Sequence, residues 1–196
     1  MNISNENQND QIHLIRKKQI KKAALKVFAQ HGIVRAKMNM IASEAGISQG
    51  LTYRYFNSKE ELFTILVKEA LVESESAIDN ISQLPGTPME RIKTFTNRML
   101  EEDHKYSFLL IQHAQTSADV PTEVKKIFDQ YSVEKTIDKL IPLFKEGQQL
   151  GEFCKGDPQK MLFLYFSVIT GIMLQDIQTS ESFWLKEVDT LIKIIK

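Results

Sequence analysis

The 196-residue sequence has little of what staples or punctuates a chain. Cys154 is its one cysteine, so neither a disulfide framework nor a thiolate metal cluster can form, which fits a reducing cytoplasm. Five prolines and eight glycines are too few for the many turns of an all-β protein. No alternating β pattern of useful length and no internal repeat is present. The most apolar run, "MLFLYFSVITGIML" over 161–174, falls short of the ~18 residues that span a bilayer, so no membrane partner is expected. Residues 1–11, "MNISNENQNDQ", lack the apolar centre of a secretory signal and read as a flexible tail. The four histidines, His13, His31, His104 and His113, lack metal-ligand spacing. No Ser-His-Asp, phosphate-loop or paired-carboxylate set stands out. No enzyme, metal or cofactor is therefore expected.

What is present points to a folded helical protein. Apolar residues make up 42% and charged residues 26%, a balance that supports a core. The formal net charge is zero, but it is unevenly divided. Residues 1–56 hold nine basic and three acidic residues, and the remainder is acidic by the same margin. A basic head on an acidic body suits anion binding, and a solvated lysine-rich face is the alternative.

Helical spacing of Ile20, Ala24, Val27 and Phe28 predicts a first helix from Ile12 to His31, ended by Gly32. A short helix is predicted over 38–45 and broken by Gly46. Ser48 caps a third over 49–56. "SKEE" at 58–61 reads as a capping box that opens a long helix to about Asn80, and "TPME" at 87–90 as another. The helix after "TPME" is predicted to end near His104, with a shorter one over 107–117. Pro121 should open a long helix kinked by Pro142. "GQQLGEFCKGDP" reads as a loop. The apolar helix then runs to about Gln178, and "ESFWLKEVDTLIKIIK" closes the chain. About nine helices result.

Residues 37–56 have the form helix, tight turn, helix, in which the second helix can enter a DNA major groove. In detail "IASEAGISQGLTYRYFNSKEELF" at 41–63 resembles the signature of the TetR/AcrR family of bacterial transcriptional regulators. Ile41, Ala42, Ala45, Gly46, Ser48, Gly50, Tyr53, Tyr55, Phe56, Ser58, Lys59, Glu60 and Leu62 carry the match. The resemblance covers about residues 14–70. It implies a homodimer bound to a double-stranded DNA operator, with a divergent body that takes a small-molecule effector. It implies DNA contacts from Asn39, Ser48, Gln49, Gly50, Leu51, Tyr53 and Lys59, with Ser48, Tyr53 and Lys59 on phosphates. Two positions depart from the pattern. Lys37 stands where many relatives carry a capping threonine, and Leu51-Thr52 inverts the usual order of a polar residue followed by leucine.

Tyr55 and Phe56 are expected in the core. In the body, Met99, Phe108, Gln112, His113, Tyr131, Phe144, Phe163 and Phe166 are candidates for an effector pocket, with core packing as the rival. Ser167, Thr170, Gly171, Trp184, Val188 and Ile192 are candidates for a dimer interface, with an internal core strip as the rival. The expected architecture is all-α: a three-helix DNA-binding domain over 12–72 and a helical effector-binding and dimerisation domain over 73–196. The expected function is a repressor released by a largely apolar effector. The alternatives are an activator, a ligand-independent DNA-binding protein, or a helical interaction module.

Overall fold

Gly32 decides where the first helix bends. The structure, a computed structural model, describes residues 3–175 and 186–196, and every regular element among them is helical. Helix α1 (Ile3–Arg35) is interrupted at Gly32, whose φ of 65° is a conformation that side chains resist. The chain then turns into α2 (Met38–Glu44), α3 (Gln49–Tyr55) and α4 (Lys59–Asp79). After a short 3₁₀ turn at Ile81–Gln83 come α5 (Pro88–Leu100), α6 (Glu102–Thr116), α7 (Thr122–Gln130), α8 (Val133–Asp138), α9 (Ile141–Gln149), α10 (Pro158–Gln175) and α11 (Val188–Ile192).

The caps set most of these starts. Ser48 Oγ accepts from the Leu51 N–H at 3.2 Å and Ser58 Oγ from the Glu61 N–H at 3.0 Å. Glu61 does not close the expected box on Ser58; its carboxylate takes the N–H of Asn57, at 2.8 Å. Thr87 and Glu90 form the full reciprocal box, with Pro88 in the first turn.

Eleven α-helices stand among the described residues, against about nine expected. The surplus comes from the segment after Pro121. It divides into α7, α8 and α9 because Tyr131 and Ser132 are extended and Ser132 caps a fresh helix through the Lys135 N–H. Pro142 sits in the first turn of α9, where its missing N–H costs nothing, so it starts a helix and does not kink one. The break before α6 falls at Glu101, and α6 begins earlier than expected.

Two apolar cores hold these helices. The first joins Ile20, Phe28, Ile41, Phe56, Leu62 and Phe63 to Leu110, Ile111 and Ala114 of α6 and Val124 of α7. Phe28 and Phe63 meet edge to face at 5.1 Å. The second joins Ile92 and Phe95 to Phe144, Leu162, Tyr165, Ile169, Met173, Leu191 and Ile195. Each such side chain contributes about 1.5–3 kcal/mol on burial. Helix α6 therefore belongs to both cores, with Phe108 packed on the second and Leu110 buried in the first. The α1–α6 contact is extensive, so the N-terminal head is built partly from body helices. Among the described residues no helix is long and apolar enough to cross a membrane.

Candidate nucleic-acid interface

Gly46, with φ 64°, makes the turn between α2 and α3. Its N–H donates to Ser43, and the N–H of Ile47 to Ala42, both at 3.0 Å. Ala42 is buried, small enough for the two helices to approach closely. Lys37 precedes α2 with no side-chain cap, since an ammonium cannot accept a hydrogen bond.

On α3, the inverted Leu51-Thr52 pair resolves cleanly. Thr52 is fully buried. Its hydroxyl donates to the Ser48 carbonyl at 3.4 Å, so the buried polar atom is satisfied. Leu51 is half-buried, next to exposed Gln49 and Gly50. A Cβ on Gly50 would meet nothing within 4 Å, so the outer face of α3 is open. Tyr53 is 47% exposed, and Asn39 and Ser48 are also exposed. Phe56 is buried, as expected. Tyr55 is half-buried, its ring 4.7 Å from that of His13. The Lys17 ammonium lies 5.7 Å from the centre of the Phe56 ring, a cation–π contact.

Lys59 does something different from the expected phosphate contact. Its Nζ donates to the carbonyls of Ile33 at 2.8 Å and Ala36 at 3.0 Å, with Val34 at 3.5 Å. These carbonyls follow the bend at Gly32. The ammonium is therefore committed to backbone, and Lys59 itself stands in the first turn of α4, where N–H groups lack helical partners. Part of the basic charge of α1 is also spent within the protein. Lys21 pairs with Glu69, and Lys26 with Glu44 at 2.8 Å. Arg54 and Lys37 are exposed beside the open face, though the motif assigns neither a contact. Their charge is the only mark of them in the sequence.

In the body, the eight candidate pocket residues do not converge. Met99, Phe108 and Phe166 pack half-buried against the second core. Phe144 is fully buried and stacks on Phe153 at 4.7 Å. Tyr131 packs against the first core with Phe128. Gln112 lies 3.5 Å from the Gln115 side-chain oxygen. His113 hydrogen-bonds the Ala29 carbonyl at 3.0 Å. Phe163 is 60% exposed, because it sits on the side of α10 opposite Leu162, Tyr165, Ile169 and Met173. Two surface hollows, of about 390 and 290 Å³, lie beside the head, and none of the eight lines either.

The outer side of α10 instead carries Phe163, Leu164, Ser167 and Leu174, all exposed, with Thr170 and Gly171 half-exposed. Of the expected interface residues, Val188 and Ile192 are buried in the second core, where the apolar stripe of α11 meets the chain's own α5. Trp184 lies outside the described residues. One polar pair is sealed inside this core. Thr96 donates to the Ile92 carbonyl at 2.8 Å, so the Tyr165 hydroxyl donates to Thr96 Oγ1 at 2.6 Å. Burial pushes the Tyr165 phenol up to about 12, against a smaller opposing effect of the Thr96 bond.

An open second helix in a helix-turn-helix, mounted on an all-helical body, defines a DNA-binding transcriptional regulator. Residues 20–64 match the family described as "Bacterial regulatory proteins, tetR family". Over those residues, which carry the helix-turn-helix, the chain is similar to this family. It is 25% identical over 142 residues to the fatty acid metabolism regulator protein of Bacillus subtilis, covering 70% of this chain and 71% of that protein. It is 28% identical over 162 residues to the uncharacterized HTH-type transcriptional regulator YhgD of the same organism, covering 79% and 82%. The ketosteroid transcriptional regulator KstR2 of Mycobacterium tuberculosis shares its fold, with TM-score 0.66, 20% identity and coverage of 92% and 95%. These relatives are named as regulators, not as enzymes.

Proposed function

We propose that the chain is a homodimeric repressor that holds a palindromic operator through paired α3 helices, about 34 Å apart. The observation that carries this reading is the open face of α3, where Gln49, Gly50 and Tyr53 stand exposed beside Leu51. Gln49 reads an adenine edge and Leu51 packs on a thymine methyl. Gly50 lets the backbone come close. Asn39, Ser48, Tyr53 and the first-turn N–H groups of α4 hold phosphates. The exposed strip of α10 supports the dimer, since its apolar residues have no cover within the chain.

A small, largely apolar effector binds the body and shifts the population toward dimers whose heads are wrongly spaced for DNA. A relative that regulates fatty acid metabolism makes acyl compounds the first class to try. The test is selection of DNA fragments by the purified chain, with and without an acyl library. The expected result is one enriched palindrome that acyl compounds release. No enrichment at moderate salt overturns DNA reading. Enrichment that no compound alters leaves a ligand-independent regulator.

A further inference from the structure

The bend at Gly32 leaves backbone carbonyls without helical partners on both sides of it, as any helix end does. After the bend, Lys59 of α4 supplies the donors. Before it, the donor comes from the body. The His113 Nε2 of α6 lies 3.0 Å from the Ala29 carbonyl oxygen. A carbonyl only accepts, so the ring carries its proton on Nε2. The other nitrogen, Nδ1, would lie 3.7 Å from a Cβ built on Gly32, so the ring rests against the bend itself. Around this contact Ala29, Leu110, Ile111 and Ala114 are buried.

We propose that His113 is a positioning residue for DNA reading. From α6 it holds the corner from which α2 and α3 hang, and so it fixes the angle of the recognition helix against the body. The residue touches no DNA. It acts through Ala29, and in a dimer it sets the distance between the two recognition helices. This rests on the DNA-reading function proposed above.

The test uses the full chain and the DNA it selects, together with the same DNA with its half-sites one or two base pairs closer or farther apart. Wild type prefers the selected spacing. His113→Leu, which fills similar space without a donor, binds that DNA about fivefold to tenfold more weakly and discriminates less between spacings. His113→Gln, which keeps an N–H donor, regains most of the preference. A role in stability alone lowers the active fraction equally on every DNA and leaves the ratio between spacings unchanged, so an unchanged ratio overturns the proposal. Where His113→Leu does not fold, the Gln variant decides: a Gln variant that folds yet shows no spacing preference overturns it as well. A wild-type chain that selects no DNA overturns the DNA-reading function, and this proposal with it.

Discussion

Replacing Lys59 with methionine separates two roles that a lysine beside a recognition helix can have. Methionine keeps most of the apolar stem and removes the ammonium. Two short hydrogen bonds, to Ile33 and Ala36, are lost, and a long one to Val34. A hydrogen bond to a charged group contributes about 1.5–3 kcal/mol, and water recovers part of that here because the side chain is 25% exposed. The expected cost is about 2–3 kcal/mol of stability. Urea unfolding at fixed protein concentration measures it, since a dimer's midpoint depends on concentration. DNA binding measured across a salt series supplies the second reading. A lysine that neutralises a phosphate contributes about 0.9 to the slope of log K against log salt, hence about 1.8 per dimer. A caged lysine contributes nothing. Lys59→Met should therefore lower the unfolding midpoint and leave the salt slope intact. An unchanged midpoint with a shallower slope refutes the carbonyl cage.

Gln49→Ala should lose about 1–3 kcal/mol at one base pair and relax the choice there, whereas Tyr53→Ala weakens all sequences alike. Binding to the selected site and to random DNA distinguishes them, and equal losses on both for each variant would remove these roles. Phe163→Asp puts a carboxylate on the exposed strip of α10 and should weaken the dimer at least about tenfold by sedimentation, through the cost of burying an unpaired charge. A dimer of wild-type strength would place the interface elsewhere. Tyr165→Phe should change how stability depends on alkaline pH. The buried phenol is raised to about 12, while the unfolded one ionises near 10. Its contribution is thus fully present below pH 10 and disappears as pH rises to 12, up to about 2.7 kcal/mol. Stability curves of wild type and variant that run parallel over that window would falsify the assignment.

Local chemistry was the legible part of the fold. Ser48, Ser58 and Thr87 announce helix starts through groups two or three residues away, and each caps as its spacing indicates. Gly32 and Gly46 announce bends, and both have positive φ. The inverted Leu51-Thr52 pair was visible as an oddity. Its resolution, a buried threonine bonded back to Ser48, needed only one turn of helix. What was not legible depends on distant partners. Nothing near Lys59 in sequence shows that its ammonium meets carbonyls some 25 residues earlier. Aromatics at helical spacing look the same in a core, on a surface or around a pocket, so Phe144 and Phe163 read alike although one is sealed and the other exposed. Val188 and Ile192 form a genuine apolar stripe, yet the stripe does not say whether its partner is the same chain or another.

The membership of α6 in both cores has a consequence for how such proteins diversify. A recombination event that grafted this head, cut after α4, onto a foreign body would strip Leu110, Ile111 and Ala114 from it and leave an apolar scar. Heads and bodies of this design are poor interchangeable parts. New specificities have to arise by point substitution within a body that is already mated to its head, and each substitution on α6 is felt in both cores at once.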